Sequence, residues 1–283
     1  MYVYCNGSLY PAHQAVVSVL DHGFLYGIGL FETMRVYDGR LFLWQEHYDR
    51  LAAGLASLRI RAPWSAAELA DAVLQTVKAN ALDDAYVRLS ITAGQEGVGL
   101  VAGGYERPTL FVFAKPVAPL ADPPQPKRLQ KLKLARQTPE GLERFKSHNY
   151  LNNVLARQEL GAQADLEGLF LTRDGFIAEG IVSNLFWVAG GRLYTPSLDT
   201  GILNGVTRQH VLKLAERLSL PVEEGLYKLE AVMKADEVFV TNSVQEIVPI
   251  CEIDGQAVPA VYGEYTRKLH RAYRQSVASG EHL

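Results

Sequence analysis

The chain has 283 residues, and its content of 48% apolar, 10% aromatic and 21% charged residues is ordinary for a globular protein long enough for two domains. Its net charge of -3 gives no electrostatic reason to expect nucleic acid or an anionic membrane as a partner. With two cysteines, no signal-peptide pattern and no apolar run of the ~20 residues that span a bilayer, the chain is expected to be cytoplasmic.

The first part of the chain combines strand and helix signals. Apolar patterning predicts strands at residues 2–5, 30–36, 40–44, 86–92 and 108–114, and helices at residues 46–58 and 65–80. Ser65 is the predicted cap of the second helix. We therefore expect an α+β domain here.

A proline-rich stretch interrupts the chain at residues 114–126, which hold five prolines in thirteen residues. Such a stretch is unsuited to a helix or a central strand and is typical of a linker. We predict an N-terminal α+β domain at residues 1–115, a linker at 116–126 and a C-terminal domain at 127–283.

The second part of the chain predicts more strands than helices. Strands are expected at residues 130–136, 166–172, 183–189, 192–195 and 237–241, and helices at residues 147–160 and 206–218. Several strands adjoin through tight turns, so the sheet should be largely antiparallel. The predicted fold class of the whole chain is α+β.

The segment RFKSHNYLNN at residues 144–153 places Lys146 at a predicted helix entrance among aromatic and apolar neighbours. Desolvation there would lower the lysine pKa from ~10.4 toward neutrality, and the amine could then attack an aldehyde. A surface lysine near a helix cap is the alternative for this segment alone. No two of the seven histidines are four residues apart and no Cys-x-x-Cys is present, so no metal site is expected.

The segment IAEGIVSN at residues 177–184 places Glu179 just before an apolar strand. A buried carboxylate needs a partner, and the protonated nitrogen of a pyridine ring would be one. A turn with a solvated glutamate is the alternative interpretation.

Two further segments could bind a phosphate. GILNGVTR at residues 201–208 opens a predicted helix, whose first N–H groups and Thr207 hydroxyl would form an anion site. TNS at residues 241–243 ends a predicted strand with hydroxyls, and Arg50 could add bidentate charge. A cap with a turn, and a solvated helical arginine, are the alternatives.

Together and in this order, the segments resemble the class IV aminotransferase family of pyridoxal 5'-phosphate enzymes, from residue 6 to the last helix. The resemblance implies a two-domain, D-amino acid aminotransferase-like fold (fold type IV), with the cofactor bound by the C-terminal domain. It implies a small-molecule substrate. Family members complete the pocket with a neighbouring protomer, so a homodimer is implied as well.

The resemblance also implies roles for individual residues. Lys146 would hold the cofactor as a Schiff base and move protons, and Glu179 would contact the pyridine nitrogen. Thr33 would assist proton transfer or position the substrate, unless it only packs in its strand. The implied cofactor ligands are Arg50, Lys146, Tyr150, Glu179, Asn184, Val206, Thr207 and Ser243, and the implied substrate contacts are Phe31 and Arg88.

Within the family, residues 21–33, 138–141, 146–153 and 194–203 most resemble the 4-amino-4-deoxychorismate lyases, which form 4-aminobenzoate and pyruvate in folate synthesis. D-amino acid aminotransferases carry a carboxylate-binding arginine in a VTRG-like segment, where this chain has Ala93 in ITAG at residues 91–94. A branched-chain or D-amino acid aminotransferase remains the alternative enzyme. A non-catalytic binding protein on this fold is the alternative outside enzymes.

Overall fold

A computed structural model describes residues 1–280, and these form two compact units. Unit 1 contains residues 1–118 and 145–149, and unit 2 contains residues 119–144 and the described residues from Tyr150 onward. The domain limits at residues 1–115, 116–126 and 127–283 remain a prediction.

Unit 1 is built on a six-stranded antiparallel sheet. Its strands are β1 (Tyr2–Cys5), β2 (Ser8–Pro11), β3 (Gly29–Tyr37), β4 (Arg40–Leu41), β5 (Ala85–Thr92) and β6 (Thr109–Pro116), in the order β2-β1-β6-β5-β3-β4. Its helices are α1 (His22–Leu25), α2 (Trp44–Ser57) and α3 (Ala66–Ala79).

One face of this sheet carries the core of unit 1. Successive strand residues point to opposite faces, so Leu30 and Met34 of β3 share a face with Val87 of β5. Leu51 of α2 and Val73 of α3 are buried in the same apolar cluster. Phe31 and Thr33 of β3 point to the opposite face of the sheet.

Helix α3 begins where the sequence predicts. Glu68 N–H donates to Ser65 Oγ at 3.3 Å, and Ser65 N–H donates to Glu68 Oε2 at 2.7 Å. This reciprocal capping box satisfies two backbone donors at the helix start. The predicted cap at Ser65 is confirmed.

Residues 145–149 are extended, although a helix start is predicted at residue 147. The Phe31 N–H donates to the Lys146 carbonyl at 2.9 Å, and the His148 N–H donates to the Gly29 carbonyl at 3.0 Å. The predicted start was wrong: the helix begins at Leu151. Pairing with β3 outweighs the local helix signals.

Unit 2 contains a nine-stranded mixed sheet. Its strands are β7 (Lys127–Lys131), β8 (Leu166–Leu171), β9 (Ile177–Gly180), β10 (Asn184–Ala189), β11 (Arg192–Pro196), β12 (Val222–Gly225), β13 (Glu237–Asn242), β14 (Glu246–Ile253) and β15 (Gln256–Ala257). Its helices are α4 (Leu151–Leu160), α5 (Val206–Arg217), α6 (Leu229–Met233) and α7 (Glu264–Ser279), with a short 3-10 helix at Leu198–Thr200.

The order of this sheet is β12-β11-β10-β13-β14-β7-β8-β9, with β15 paired to β14. Strand β7 runs parallel to β8 and β14, and β11 runs parallel to β12. The other ladders within residues 1–280 are antiparallel, as the tight turns predict.

Two strand predictions need correction. The strand expected at residues 130–136 is β7, at Lys127–Lys131. Its pairing with β8 and β14 places it nearer the start of the chain than predicted. The strand expected at residues 40–44 ends at Leu41, because Leu43 turns left-handed and Trp44 begins α2. None of the helices within residues 1–280 combines the length and apolar character that crossing a bilayer requires.

Candidate active site

Lys146 lies over an aromatic ring within unit 1. Its Nζ is 4.7 Å from the centre of the Phe31 ring, and the Arg88 guanidinium carbon is 3.7 Å from the same centre. Thr33 is opposite Arg88 in the register of β3 and β5. Four residues predicted for the site are therefore neighbours on the face of the sheet that α2 and α3 leave uncovered.

Arg50, on α2, is bound to a buried carboxylate. Its Nε donates to Glu32 Oε1 at 2.8 Å and its Nη2 donates to Oε2 at 2.6 Å. His47 Nδ1 lies 2.7 Å from the same Oε2. A guanidinium has five N–H donors, of which this pair engages two.

The charge of Glu32 is set by two opposing effects. Burial acts to raise its pKa, but Arg50 and His47 outweigh burial and lower the pKa of Glu32 to about 2. For His47, burial is the largest effect and lowers its pKa. Glu32 is therefore an ionised partner that fixes the position of Arg50.

Glu179, near the end of β9, is buried in unit 2. Arg136 Nε donates to its Oε1 at 2.8 Å, and the Leu203 N–H donates to its Oε2 at 3.0 Å. Arg144 Nε lies 3.8 Å from Oε1. A solvated glutamate, the alternative interpretation, does not agree with this burial.

A hydrogen-bond network orients the Glu179 carboxylate. Asn184 Nδ2 lies 3.4 Å from Glu179 Oε2 and donates to the Leu203 carbonyl at 2.9 Å. Arg136 Nη1 donates to Asn152 Oδ1 at 2.8 Å, so the arginine is itself held. Both oxygens of the carboxylate are thus fixed in direction.

The start of α5 has the features of an anion site. Gly205 is the cap, and a glycine has no side chain with which to cap the first N–H groups. A Cβ at Gly205 would collide with Asn184 Oδ1, so only glycine allows this close approach. The first turn contains Val206 and Thr207 and no acidic residue, which leaves its positive end for an anion.

Hydroxyl groups extend this anion site. Thr207 Oγ1 lies 3.2 Å from Ser243 Oγ, just beyond β13. The Thr241 hydroxyl is buried and has no hydrogen-bond partner within residues 1–280. A buried polar group without a partner is costly, and a bound ligand would supply one.

The predicted site residues divide between the units. Unit 1 contains Lys146, Phe31, Thr33, Arg50 and Arg88. Unit 2 contains Tyr150, Glu179, Asn184, Val206, Thr207 and Ser243. Tyr150 is half-buried and immediately precedes α4. Their roles remain predictions.

Several residues of these networks were not predicted, and Glu32 and Arg136 illustrate why. Glu32 could have been found, because a carboxylate interrupts the apolar face formed by Leu30, Met34 and Val36, and a buried carboxylate needs a partner. Arg136 has no comparable signal, because only the fold brings it to Glu179.

Comparison with known proteins identifies relatives along nearly the whole chain. The family model "Amino-transferase class IV" matches residues 29–253. An aminodeoxychorismate lyase of Bacillus subtilis (strain 168) is 44% identical over 282 residues, covering 99% of this chain and 96% of the relative. A second relative is a Methanocaldococcus jannaschii protein that is provisionally named a branched-chain-amino-acid aminotransferase. It is 39% identical over 276 residues, covering 97% of this chain and 96% of that protein.

Two solved structures have the same fold. The branched-chain aminotransferase of the archaeon Thermoproteus uzoniensis, with norvaline, matches with a TM-score of 0.89 and 30% identity, over 99% of this chain and 96% of that chain. A solved branched-chain amino acid aminotransferase complexed with N-(5'-phosphopyridoxyl)-L-glutamate matches with a TM-score of 0.86 and 28% identity, over 99% of this chain and 95% of that chain. The predicted α+β class and type IV fold are therefore confirmed. The chain belongs to the class IV aminotransferase family and is a pyridoxal 5'-phosphate-dependent enzyme.

Proposed function

We propose that this enzyme is a 4-amino-4-deoxychorismate lyase, which converts its substrate into 4-aminobenzoate and pyruvate. The observation that carries the proposal is the higher identity, over nearly the whole chain, to the lyase relative than to the aminotransferase relative. Ala93 supports it, because this buried residue stands where D-amino acid aminotransferases have a carboxylate-binding arginine.

The donor chemistry of the chain fits pyridoxal 5'-phosphate. The cofactor has an aldehyde, a pyridine nitrogen and a phosphate. The chain has an amine at Lys146, a buried carboxylate at Glu179, and N–H and O–H donors at the start of α5. The Thr241 hydroxyl, unpartnered among the described residues, and the crowded Gly205 cap support a ligand that approaches closely.

In the proposed assignment, each group of the cofactor has its own residues. Lys146 binds the aldehyde carbon, and the Glu179 carboxylate holds a proton at the ring nitrogen. Val206, Thr207 and Ser243 bind the phosphate with N–H and O–H groups, and Arg50, fixed by Glu32, adds positive charge. Tyr150 and Asn184 complete the cofactor ligands.

When bound, the cofactor supplies an electron sink for the charge left by a departing proton. Once the substrate amine has displaced Lys146 from the aldehyde carbon, the free Lys146 Nζ would accept the proton from the amine-bearing carbon of the substrate. It then returns a proton to the methylene carbon of the departing enolpyruvate, which becomes pyruvate. Loss of that group makes the substrate ring aromatic, so elimination needs no catalytic residue beyond those of an aminotransferase.

Substrate contacts come from the uncovered face of unit 1. Arg88 binds a substrate carboxylate, and its guanidinium is held against the Phe31 ring. The Phe31 ring also supports Lys146 Nζ. Thr33, opposite Arg88, positions the pyruvyl group.

The second candidate is a branched-chain amino acid aminotransferase. The 39% identity to the Methanocaldococcus protein and the match to solved aminotransferases favour it. Both reactions begin with the same proton transfer to Lys146 Nζ, and they differ in the fate of the substrate afterwards. The homodimer and the cytoplasmic location expected from the sequence remain predictions.

The deciding experiment follows the product. Purified holoenzyme is given 4-amino-4-deoxychorismate, and 4-aminobenzoate and pyruvate are measured; a parallel panel offers amino donors with 2-oxoglutarate or pyruvate as acceptors. We expect the two products in equal amounts without any added keto acid. Fast amine exchange that requires a keto acid, with no aromatic product, would support the aminotransferase instead.

The role of Lys146 is tested by substitution. Lys146→Ala should lose the cofactor's bound absorption band and at least ~10⁴-fold of turnover, because neither the covalent bond nor the proton carrier remains. Lys78→Ala is the matched control, since Lys78 is an exposed lysine of unit 1 on α3. A Lys146→Ala protein with wild-type turnover would contradict the assignment.

A further inference from the structure

His148 lies beside Lys146 on the same face of an extended segment. The pairing of residues 146–148 with β3 is antiparallel, and residues two apart in such a segment point to the same side. The centre of the His148 ring is 6.1 Å from that of the Phe31 ring, over which Lys146 Nζ also lies.

Gly29 provides the space for the His148 ring. A Cβ at Gly29 would lie 2.8 Å from Nδ1 and 2.9 Å from Cε1 of the imidazole. The backbone of Gly29 accepts the His148 N–H at 3.0 Å, so the ring is fixed close to β3. The position of the imidazole is therefore set by packing and by the main chain.

The imidazole is neutral at physiological pH. Burial has the largest effect on the pKa of His148, and the positive charge of Arg88 has the second largest. Together they lower this pKa to about 4, although Asp21 and a hydrogen bond from the ring to the backbone of Leu30 act to raise it. The hydrogen bond to Leu30 raises the pKa, so the ring donates it. In a neutral imidazole that leaves the other nitrogen as an acceptor.

Nε2 is that other nitrogen, and it is buried without a hydrogen-bond partner anywhere in residues 1–280. A buried acceptor without a donor destabilises the protein. The reaction brings an N–H donor to the neighbouring Lys146, namely the amine of the substrate. Arg88 attracts the substrate's carboxylate to the same face.

We propose that His148 is a substrate-positioning residue whose Nε2 accepts a hydrogen bond from the substrate amine as it reaches Lys146. The substrate class is a primary amine that also carries a carboxylate for Arg88. A neutral acceptor suits this position, because the positive charge of Arg88 would repel an ammonium group. The inference rests on the proposed function only in that a substrate amine must displace Lys146 from the aldehyde carbon.

The test separates an effect on KM from an effect on kcat. In the holoenzyme, His148→Leu should raise KM for the amine substrate about 10-fold and change kcat by less than about twofold, because a binding contact is lost. A merely structural histidine would not raise KM selectively when removed, because the substrate would lose no contact.

Two further variants sharpen the result. His148→Gln keeps an acceptor oxygen and should hold KM within about threefold of wild type. His13→Leu, the same substitution at an exposed histidine, should leave KM unchanged. An unchanged KM in His148→Leu overturns the proposal, as does weaker cofactor retention with an unchanged KM.

Failure of this inference can be separated from failure of the lyase assignment. If the wild type transaminates and makes no 4-aminobenzoate, the KM comparison is made with the amino donor, whose amine also reaches Lys146. The lyase assignment then fails while His148 is still tested. If 4-aminobenzoate forms equally well in His148→Leu, only the role of His148 fails.

Discussion

At the scale of the residue, Glu32 shows how a charge is kept inside an apolar face. Its neighbours on the same face of β3 are Leu30, Met34 and Val36, and burial alone would favour the neutral acid. Arg50 and His47 from α2 outweigh that effect. The carboxylate thus fixes the arginine proposed for the phosphate.

We predict that Glu32→Gln destabilises the protein and does so in a pH-dependent way. The lowering of the pKa of Glu32 from 4.5 to about 2 corresponds to on the order of 3 kcal/mol of stability at neutral pH. Because the folded pKa is depressed, this stability is present above pH 4.5 and is lost as pH falls toward about 2. The Tm difference between wild type and variant should be constant from pH 7 to about pH 5 and shrink below about pH 4.5.

Glu106→Gln is the matched control for this measurement. Glu106 pairs with Arg61 at 2.9 Å, but their side chains are 56% and 77% exposed. Such surface pairs contribute little, so Tm should change by less than about 2 °C at any pH. Equal effects of the two substitutions would show that the buried pair has no special role.

Sequence patterns indicated some of the proposed site residues and not others. Lys146 and Glu179 lie in segments where polar residues interrupt apolar ones, and such a pattern can be recognised in a single sequence. Arg136 could not be predicted, because it is distant from Glu179 in sequence and meets it only when β7 and β9 have assembled around β8. His148 could not be distinguished from a helix-entrance residue until residue 29 was seen beside it.

At the scale of the element, local signals succeeded where no distant strand competed. The capping box of α3 and the start of α5 at Val206 depend on neighbours in sequence, and both were predicted. The predicted helix start at residue 147 was wrong, because residues 146–148 form backbone hydrogen bonds with β3. Strand β14 was not predicted, since Pro249 at its centre argues against an interior strand, yet Pro249 faces Phe239 in the ladder with β13.

We predict that Ser65→Ala weakens the first turn of α3. The variant loses the hydroxyl that accepts the Glu68 N–H, at a cost of about 1 kcal/mol. Hydrogen exchange of the amides in this turn should accelerate about fivefold, since exchange reports local opening. Ser57→Ala is the control: the Ser57 hydroxyl donates back to Ala53 within α2, so its loss should not accelerate exchange there. No change in either helix would mean that α3 is held by packing alone.

At the scale of the whole molecule, cofactor binding is linked to the folding of the chain. A ligand that binds only the folded chain stabilises it according to concentration and affinity. Cofactor binding should therefore appear in global unfolding as well as in catalysis.

We predict that removing the cofactor with hydroxylamine lowers Tm, and that pyridoxal 5'-phosphate restores it fully while pyridoxal restores only a small part. In the proposed assignment the phosphate binds at the start of α5, so most of the difference between the two compounds should arise there.

Thr207→Ala and Ser243→Ala should each weaken pyridoxal 5'-phosphate binding about 10-fold and leave pyridoxal binding unchanged, because only the phosphate loses a donor. Ser8→Ala, on the edge strand β2 of unit 1, should alter neither. If the two substitutions weakened the binding of both compounds equally, the phosphate would bind elsewhere, because pyridoxal has no phosphate to lose a contact with the missing hydroxyl.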